Sequence, residues 1–136
     1  MLNKPALHLA LKVSNRSHSL RECGRLLDLP TSEAYDKGEV WRFGPPGRQK
    51  ERIINRNLWE YRQILHDNFA EGFDNFMETV FVKRIAKYSD LPPDSECEFY
   101  YRYTRDEIQC PPSVQFDTTI IEIFNRLSIK IDMEFY

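Results

Sequence analysis

Apolar side chains recur at every second position near both ends of the sequence. The pattern covers residues 7–13 near the start and residues 128–136 near the end, and between residues 129 and 135 apolar and charged residues alternate without exception. Because successive side chains of a strand point to opposite faces of its sheet, this two-residue period predicts two strands that each bury one face. In the last strand, the residues expected in the core are Ile129, Ile131, Met133 and Phe135.

Three further segments repeat apolar residues at three- and four-residue intervals, which is typical of helices. The first follows Ser19 and Glu22, whose spacing has the form of a capping box, and it is expected to end at Pro30. The strongest begins at Asp67, which can cap a helix, and it has cations in its last turns. Its expected core residues are Phe69, Phe73, Phe76, Met77, Val80, Phe81 and Ile85.

The third helix is expected to begin at Asp117 or Thr118. Its buried side is predicted to carry Ile120, Ile121, Phe124 and Leu127. Two short strands are predicted at residues 39–43 and 58–61, and they are expected to pair as a hairpin. Residues 44–57 would then form its long, mobile tip, because the two prolines in this segment cannot join a central strand.

Residues 31–38 are expected to form a loop, and residues 96–104 a further strand with Cys97, Phe99 and Tyr101 on one side. The resulting order of strands and helices predicts an α+β fold, with helices packed on one face of a mainly antiparallel sheet. A ferredoxin-like arrangement with an inserted central helix fits this order. The length of 136 residues suits a single domain over residues 1–136.

The cysteines indicate no disulfide or zinc site, and the N-terminal segment indicates no signal sequence or membrane span. Cys23, Cys97 and Cys110 form an odd set without C-x-x-C spacing, so neither a disulfide framework nor a zinc ribbon is indicated. Cys110, beside two prolines, is the thiol expected to be exposed. Residues 1–13 are too short and too polar for a signal sequence or a membrane span. A cytoplasmic location and no membrane partner are therefore expected.

Candidate catalytic chemistry is sparse. His8, His18 and His66 have no partner at helical spacing, and neither a nucleophile elbow nor a phosphate-binding loop occurs in the sequence. The carboxylates do not pair at a spacing that suits general acid and base catalysis. The sequence therefore predicts a protein that is not an enzyme and that holds no metal or cofactor.

Charge is distributed unevenly along the chain. Residues 1–65 carry twelve Lys and Arg against seven Asp and Glu, whereas residues 66–136 carry seven against fourteen. The two halves are expected to neutralise each other in the fold. The acidic second half, with tyrosines on a solvated sheet face, could also dock on a basic protein. On that face, Tyr100 and Arg102 are candidate contact residues.

A second candidate surface is the basic segment 48–56, flanked by Trp41 and Trp59. Its candidate contact residues are Arg48, Lys50, Arg52 and Arg56. Cations between aromatic rings suit nucleic acid, but a nucleic-acid-binding domain is normally strongly basic, and this chain has a pI near 5.9. A solvated loop is the favoured interpretation of this segment.

Residues 17–31, which end in Leu-Leu-Asp-Leu-Pro-Thr, and the turn Lys37-Gly38-Glu39 resemble a bacterial family catalogued as domain of unknown function 4279. The closing helix and strand, residues 120–136, are similar to that family as well. Pro30, Thr31, Lys37, Gly38 and Trp59 match its signals. Asp28 and Ser128 depart from it, since the family usually has glycine at these two positions.

The resemblance implies a small α+β domain without established catalytic residues, and some relatives look like immunity proteins encoded beside bacterial toxins. The first functional hypothesis is therefore a non-catalytic protein-binding domain of the immunity type, whose partner would be a cognate toxin. The alternative is an accessory domain that binds a small ligand or nucleic acid through residues 48–56.

Overall fold

Seven strands and three α-helices form the fold in the computed structural model, which describes residues 5–104 and 111–135. The strands are β1 (Ala6–Asn15), β2 (Glu33–Tyr35), β3 (Val40–Phe43), β4 (Lys50–Ile53), β5 (Asn57–Leu65), β6 (Glu96–Thr104) and β7 (Lys130–Phe135). The helices are α1 (Cys23–Leu27), α2 (Phe69–Phe76) and α3 (Thr118–Leu127), with a π-helical segment (Met77–Val82) and a 3-10 segment (Ile85–Asp90) between α2 and β6. None of the described helices is long and apolar enough to span a bilayer.

Five strands form the main sheet in the order β2-β5-β1-β6-β7. Every neighbouring pair is antiparallel except β6 and β7, which run parallel. The fold is therefore α+β with a mainly antiparallel sheet, as the sequence predicts. The ferredoxin-like detail is not confirmed. Strands β3 and β4 pair only with each other and form a second, two-stranded sheet.

The core lies between one face of the main sheet and the helices. In the central strand β1, the alternation predicted from the sequence is confirmed, since Leu7, Leu9, Leu11 and Val13 are fully buried. Aromatic rings from the helices pack against β6 on this face. The ring centroids of Phe73 and Tyr101 are 6.4 Å apart, and those of Phe124 and Phe99 are 5.9 Å apart. Such offset aromatic pairs add stability beyond the apolar area that they bury.

The first helix begins later than the capping-box pattern predicts. Glu22 occupies the N-cap position of α1 without a side-chain cap, and its carboxylate pairs with Arg25 instead. The Ser19 hydroxyl donates to Asp36 at 2.9 Å. The predicted capping box is therefore wrong, because both side chains have partners elsewhere. The helix ends at Asp28, which has a left-handed conformation, two residues before Pro30.

The long helix predicted from Asp67 is divided into three segments. Helix α2 follows Asn68, which is left-handed and provides no side-chain cap, and the π-helical segment continues directly from α2. The 3-10 segment then begins at Ile85. The apolar spacing still predicts the three large core residues of this region correctly, since Phe73, Phe76 and Phe81 are buried.

The predicted hairpin has a different second strand. Strand β3 pairs with β4, which lies inside the segment predicted to be a loop, in the register Trp41–Arg52 and Phe43–Lys50. Residues 58–61 belong to β5, in the main sheet between β1 and β2. Strand β2 itself lies within residues 31–38, which the sequence assigns to a loop.

At α3 the predicted cap is confirmed, because the carboxylate of Asp117 accepts a 2.9 Å hydrogen bond from the backbone N–H of Ile120. One predicted core residue is wrong, since Ile121 is 57% exposed and Ile123 is buried in its place.

The last strand forms as predicted, but most of the core residues predicted for it are wrong. Ile129 is buried, but Ile131, Met133 and Phe135 are 49%, 37% and 56% exposed. They lie on the same face as the core residues of β6, in the register Phe99–Ile131, Tyr101–Met133 and Tyr103–Phe135. Because β7 is the edge strand, its apolar face extends beyond the part of the sheet that the helices cover.

Candidate functional site

The β3–β4 hairpin has two chemically different faces. Residues opposite each other in an antiparallel pair share a face, so the register places Trp41 and Phe43 beside Arg52 and Lys50. We call these four residues the aromatic–cationic face. The opposite face carries two exposed aliphatic side chains, Val40 and Ile53.

The two faces also differ in net charge. On the aliphatic face, Arg42 and Glu51 form an ion pair at 3.1 Å and neutralise each other. On the aromatic–cationic face, neither Lys50 nor Arg52 forms an ion pair with any residue of the described ranges 5–104 and 111–135, and the same holds for Arg48 at the tip. The aromatic–cationic face therefore presents two positive charges next to two exposed rings.

A row of three aromatic rings runs from the main sheet onto this face. The ring centroids of Tyr35 and Trp41 are 6.4 Å apart, and those of Trp41 and Phe43 are 5.3 Å apart. Two backbone hydrogen bonds, Ile54 N–H to Glu39 and Gly38 N–H to Ile54, join the root of the hairpin. These contacts hold the row beside the sheet edge formed by β2.

Two shallow cavities continue the row across the sheet. They measure about 210 and 220 Å³, and both are lined by Glu33, Tyr35 and Leu58. The first reaches Trp41 and Arg52. The second extends toward Lys12, Glu60 and Arg62. Together they form a groove from the hairpin to the solvated face of the main sheet.

Tyr100 is a predicted contact residue, but it is buried. Its ring lies under Lys12, with the ammonium 3.9 Å from the ring centroid, and its hydroxyl donates to Glu134 at 2.7 Å. Burial, followed by that hydrogen bond, raises the pKa of Tyr100 to about 12. The neighbouring Tyr101 and Tyr103 are also buried, so β6 contributes no exposed tyrosine to the expected docking surface.

Arg102 and Arg56, two further predicted contact residues, lie apart from the hairpin. Arg102 is on the solvated face of β6, opposite His8 in β1 and Glu134 in β7. Arg56 is half-buried, and it pairs with Glu96 at 3.2 Å rather than joining the hairpin cations. The structure therefore groups Arg48, Lys50 and Arg52 on the hairpin, and it separates them from Tyr100, Arg102 and Arg56.

Direct ion pairing between the two halves of the sequence is limited. Arg56 pairs with Glu96, which joins a cation of the first half to an acid of the second, and Arg84 lies 3.9 Å from Asp28, which joins a cation of the second half to an acid of the first. Most of the first half's pairs are internal, such as Arg62 with Glu60 at 3.0 Å. The mutual neutralisation of the two halves therefore stays a prediction.

Burial changes the ionisation of three candidate nucleophiles and bases, namely Cys23, Cys97 and His8. Burial raises the pKa of the Cys23 and Cys97 thiols to about 12, so both stay protonated at neutral pH. Burial, and then the positive charge of Arg62, lowers the pKa of His8. Within the described part of the chain, no three His, Cys, Asp or Glu side chains are grouped to hold a metal ion. Cys110 lies outside the described residues.

Trp59 flanks the basic segment in the sequence but is a core residue, and three surface residues were missed. Trp59 is 1% exposed, and its indole N–H donates to Thr31 at 2.8 Å, so it cannot flank a binding loop. Tyr35 and Phe43 belong to the row of aromatic rings, and Val40 lies on the opposite face of the hairpin. The alternation of Trp41, Arg42 and Phe43 before Gly44 was the signal that could have identified Phe43.

No protein-family model matches the sequence, no curated protein matches it, and no solved structure matches the fold.

Proposed function

We propose that the chain is a non-catalytic protein-binding domain that docks on its partner through the aromatic–cationic face of the β3–β4 hairpin. The observation that supports this most directly is the pairing of exposed Trp41 and Phe43 with Arg52 and Lys50, two cations without an ion pair among the described residues. Aromatic and arginine side chains are enriched in the small part of an interface that carries most of its binding energy.

The chemistry of this face defines the partner. The two cations, which form no ion pair with the described residues, favour an acidic surface, and the exposed rings favour an apolar pocket between its acidic groups. The partner is therefore a protein with carboxylates around an apolar depression. This differs from the basic partner expected from the acidic second half, because Tyr100, the candidate contact tyrosine of that half, is buried.

We further propose that the partner is a toxin and that docking blocks it. This step rests on the resemblance of residues 17–31 and of the turn at Gly38 to domain of unknown function 4279, some of whose members look like immunity proteins. The buried, protonated thiols of Cys23 and Cys97 suit a role without catalysis or cofactor. A cytoplasmic location belongs to the same proposal, since the protein would protect the cell that makes the toxin.

Co-expression with the product of the adjacent gene tests the proposal. We expect the wild-type chain to restore growth and the purified pair to bind with a Kd that increases with salt. The double variant Trp41→Thr, Arg52→Glu should weaken binding at least about tenfold, as expected for loss of a central aromatic and a charge contact. Ile53→Thr, on the opposite face of the same hairpin, is the matched control and should bind like the wild type.

Two results would contradict this proposal. If the double variant binds and protects as well as the wild type, the aromatic–cationic face is not the docking surface. If the wild type neither binds nor protects, the toxin partner is excluded as well.

Binding of single-stranded nucleic acid or a nucleotide is the second candidate function. It is favoured by the row Tyr35, Trp41 and Phe43, because bases stack on aromatic rings while nearby cations contact phosphates. Trp41 is the exposed indole and Trp59 the buried one, so quenching of tryptophan fluorescence would report on the hairpin.

Titrations with single-stranded RNA, single-stranded DNA and nucleotides at two salt concentrations separate the candidates. Salt-dependent quenching that is lost in Trp41→Phe would replace the protein partner with a nucleic acid. Unchanged emission in every titration would remove the second candidate.

A further inference from the structure

The exposed edge of the main sheet is a separate surface from the hairpin. Strand β7 pairs with β6 on one side, and none of the described strands pairs with its other side. Unpaired N–H and C=O groups along a strand edge favour pairing with another strand. The edge also carries an apolar stripe formed by Ile131, Met133 and Phe135.

The helical layer explains why this stripe is uncovered. Phe69 packs on Tyr103 at 5.8 Å and Phe124 packs on Phe99 at 5.9 Å, so the helices contact the core residues of β6. On β7, the ring of Phe135 contacts only Tyr101 among the described aromatic residues, at 5.7 Å. The covered face therefore ends one strand short of the sheet edge.

We propose that a second copy of this chain pairs with β7, strand against antiparallel strand, across a two-fold axis. The two five-stranded sheets then form one continuous sheet, and the two apolar stripes lie side by side. This inference goes beyond the proposed function and uses none of the hairpin residues.

The alternation along β7 restricts the register of such a pair. Opposite residues of antiparallel strands share a face, so apolar positions must meet apolar positions and charged positions must meet charged positions. If the axis passes through Met133, Asp132 meets Glu134 of the second copy twice, and both contacts are repulsive. If it passes through Ile131, only three residues of each β7 are paired.

An axis through Asp132 satisfies both requirements. Lys130 then meets Glu134 of the second copy, and this attractive contact occurs twice. Ile131 meets Met133 of the second copy, also twice, and five of the six β7 residues are paired. The one repulsive contact is between the two copies of Asp132 on the axis. The charge pattern of β7 thus complements itself, which identifies a second copy as the occupant.

The size of the contact sets the expected strength. A stable interface buries about 800 Å² on each partner, and a six-residue strand edge buries less than this. We therefore expect a dimer that forms at high protein concentration and dissociates on dilution. Sedimentation equilibrium of the full chain over a wide concentration range measures this.

Three variants test the register. Lys130→Glu replaces both attractive contacts with repulsive ones, and it should weaken the dimer about tenfold or more. The exchange Lys130→Glu with Glu134→Lys should restore it. Asp132→Asn removes the repulsion on the axis and should strengthen the dimer. If the axis passed through Ile131 instead, the same variant would weaken the dimer.

Ile131→Glu should abolish dimerisation, and Ile53→Glu on the hairpin is its matched control. Both isoleucines are exposed on edge strands, so the control separates loss of β7 pairing from a general loss of surface apolarity. Thermal unfolding of every variant verifies that the monomer is intact. A wild-type chain that stays monomeric at all concentrations overturns the inference, as does equal dimerisation of Ile131→Glu and the wild type. Either result leaves the hairpin proposal unaffected.

Discussion

The indole N–H of Trp59 donates a 2.8 Å hydrogen bond to the hydroxyl of Thr31. This bond joins β5, in the main sheet, to the segment that leaves α1. Gly24 of α1 lies directly beside the same pair, since a β-carbon there would be 3.6 Å from the Trp59 nitrogen. Thr31 and Trp59 therefore form one structural contact between these two parts of the chain.

Removing the acceptor should destabilise the fold. In Thr31→Val the side chain keeps its shape, but the N–H of the buried Trp59 loses its partner. We expect the free energy of unfolding to fall by about 1–3 kcal/mol, the usual range for a buried donor left unsatisfied. Urea denaturation measures the change. Thr31→Ser retains the hydroxyl and should stay much closer to the wild type; equal losses in both variants would mean that the hydrogen bond is unimportant.

Gly24 should be intolerant of any side chain. A β-carbon at this position would lie 2.6 Å from the Thr31 hydroxyl and 2.8 Å from the carbonyl oxygen of Leu29, which is backbone and cannot move alone. We expect Gly24→Ala to lower the free energy of unfolding by about 1–3 kcal/mol, as overpacking does in well-packed cores.

Gly72→Ala in α2 is the matched comparison for this prediction. The three atoms nearest to its β-carbon would all belong to the Leu65 side chain, which can rotate, and alanine favours a helix over glycine by about 1 kcal/mol. We therefore expect a smaller loss than at Gly24. A larger loss at Gly72 would show that the close approach at Gly24 is relaxed in solution.

The parts of the fold that the sequence predicts correctly are those determined by a local period. Leu7, Leu9 and Leu11 in β1 share a buried face because the two-residue period fixes which side chains point the same way. The same period correctly groups Ile131 with Met133, but it contains no information on whether a helix covers them. Burial on an edge strand depends on how far a distant layer extends.

Pairing between strands is also a non-local property. The sequence predicts a strand ending at Phe43, but the residues Lys50–Ile53 lack the alternation that would identify its partner. The cations of residues 48–56 are visible from composition alone. That Lys50 and Arg52 share a face with Trp41 follows only from the register of β3 with β4.

Arg84 links three parts of the chain and should be important for stability. Its guanidinium donates to the backbone carbonyls of Leu27 and Asp28, at the end of α1, and to that of Thr79 in the π-helical segment. Hydrogen bonds from a charged donor each contribute about 1.5–3 kcal/mol. We expect Arg84→Met to lower the free energy of unfolding by about that amount or more.

Lysine cannot replace this contact, because an ammonium lacks the planar set of donors that reaches three carbonyls. Arg84→Lys should therefore recover only part of the loss seen in Arg84→Met. Arg25→Lys, at an exposed residue of α1 that pairs with Glu22, is the control and should be close to neutral. Full recovery by Arg84→Lys would show that charge alone matters.

The two buried thiols predict how stability changes at alkaline pH. Burial raises the pKa of Cys23 and Cys97 to about 12 in the folded chain, compared with 9.0 for an ordinary thiol. Above pH 9.0 the thiols of the unfolded chain lose protons while those of the folded chain keep them. The unfolded state then binds fewer protons, so the free energy of unfolding should fall between about pH 9 and pH 12.

Urea denaturation at a series of pH values, in a Cys110→Ser background, measures this fall. Replacing Cys23 and Cys97 with alanine as well should make the fall shallower, and an unchanged slope would mean that the two thiols ionise as readily in the folded state as in the unfolded state.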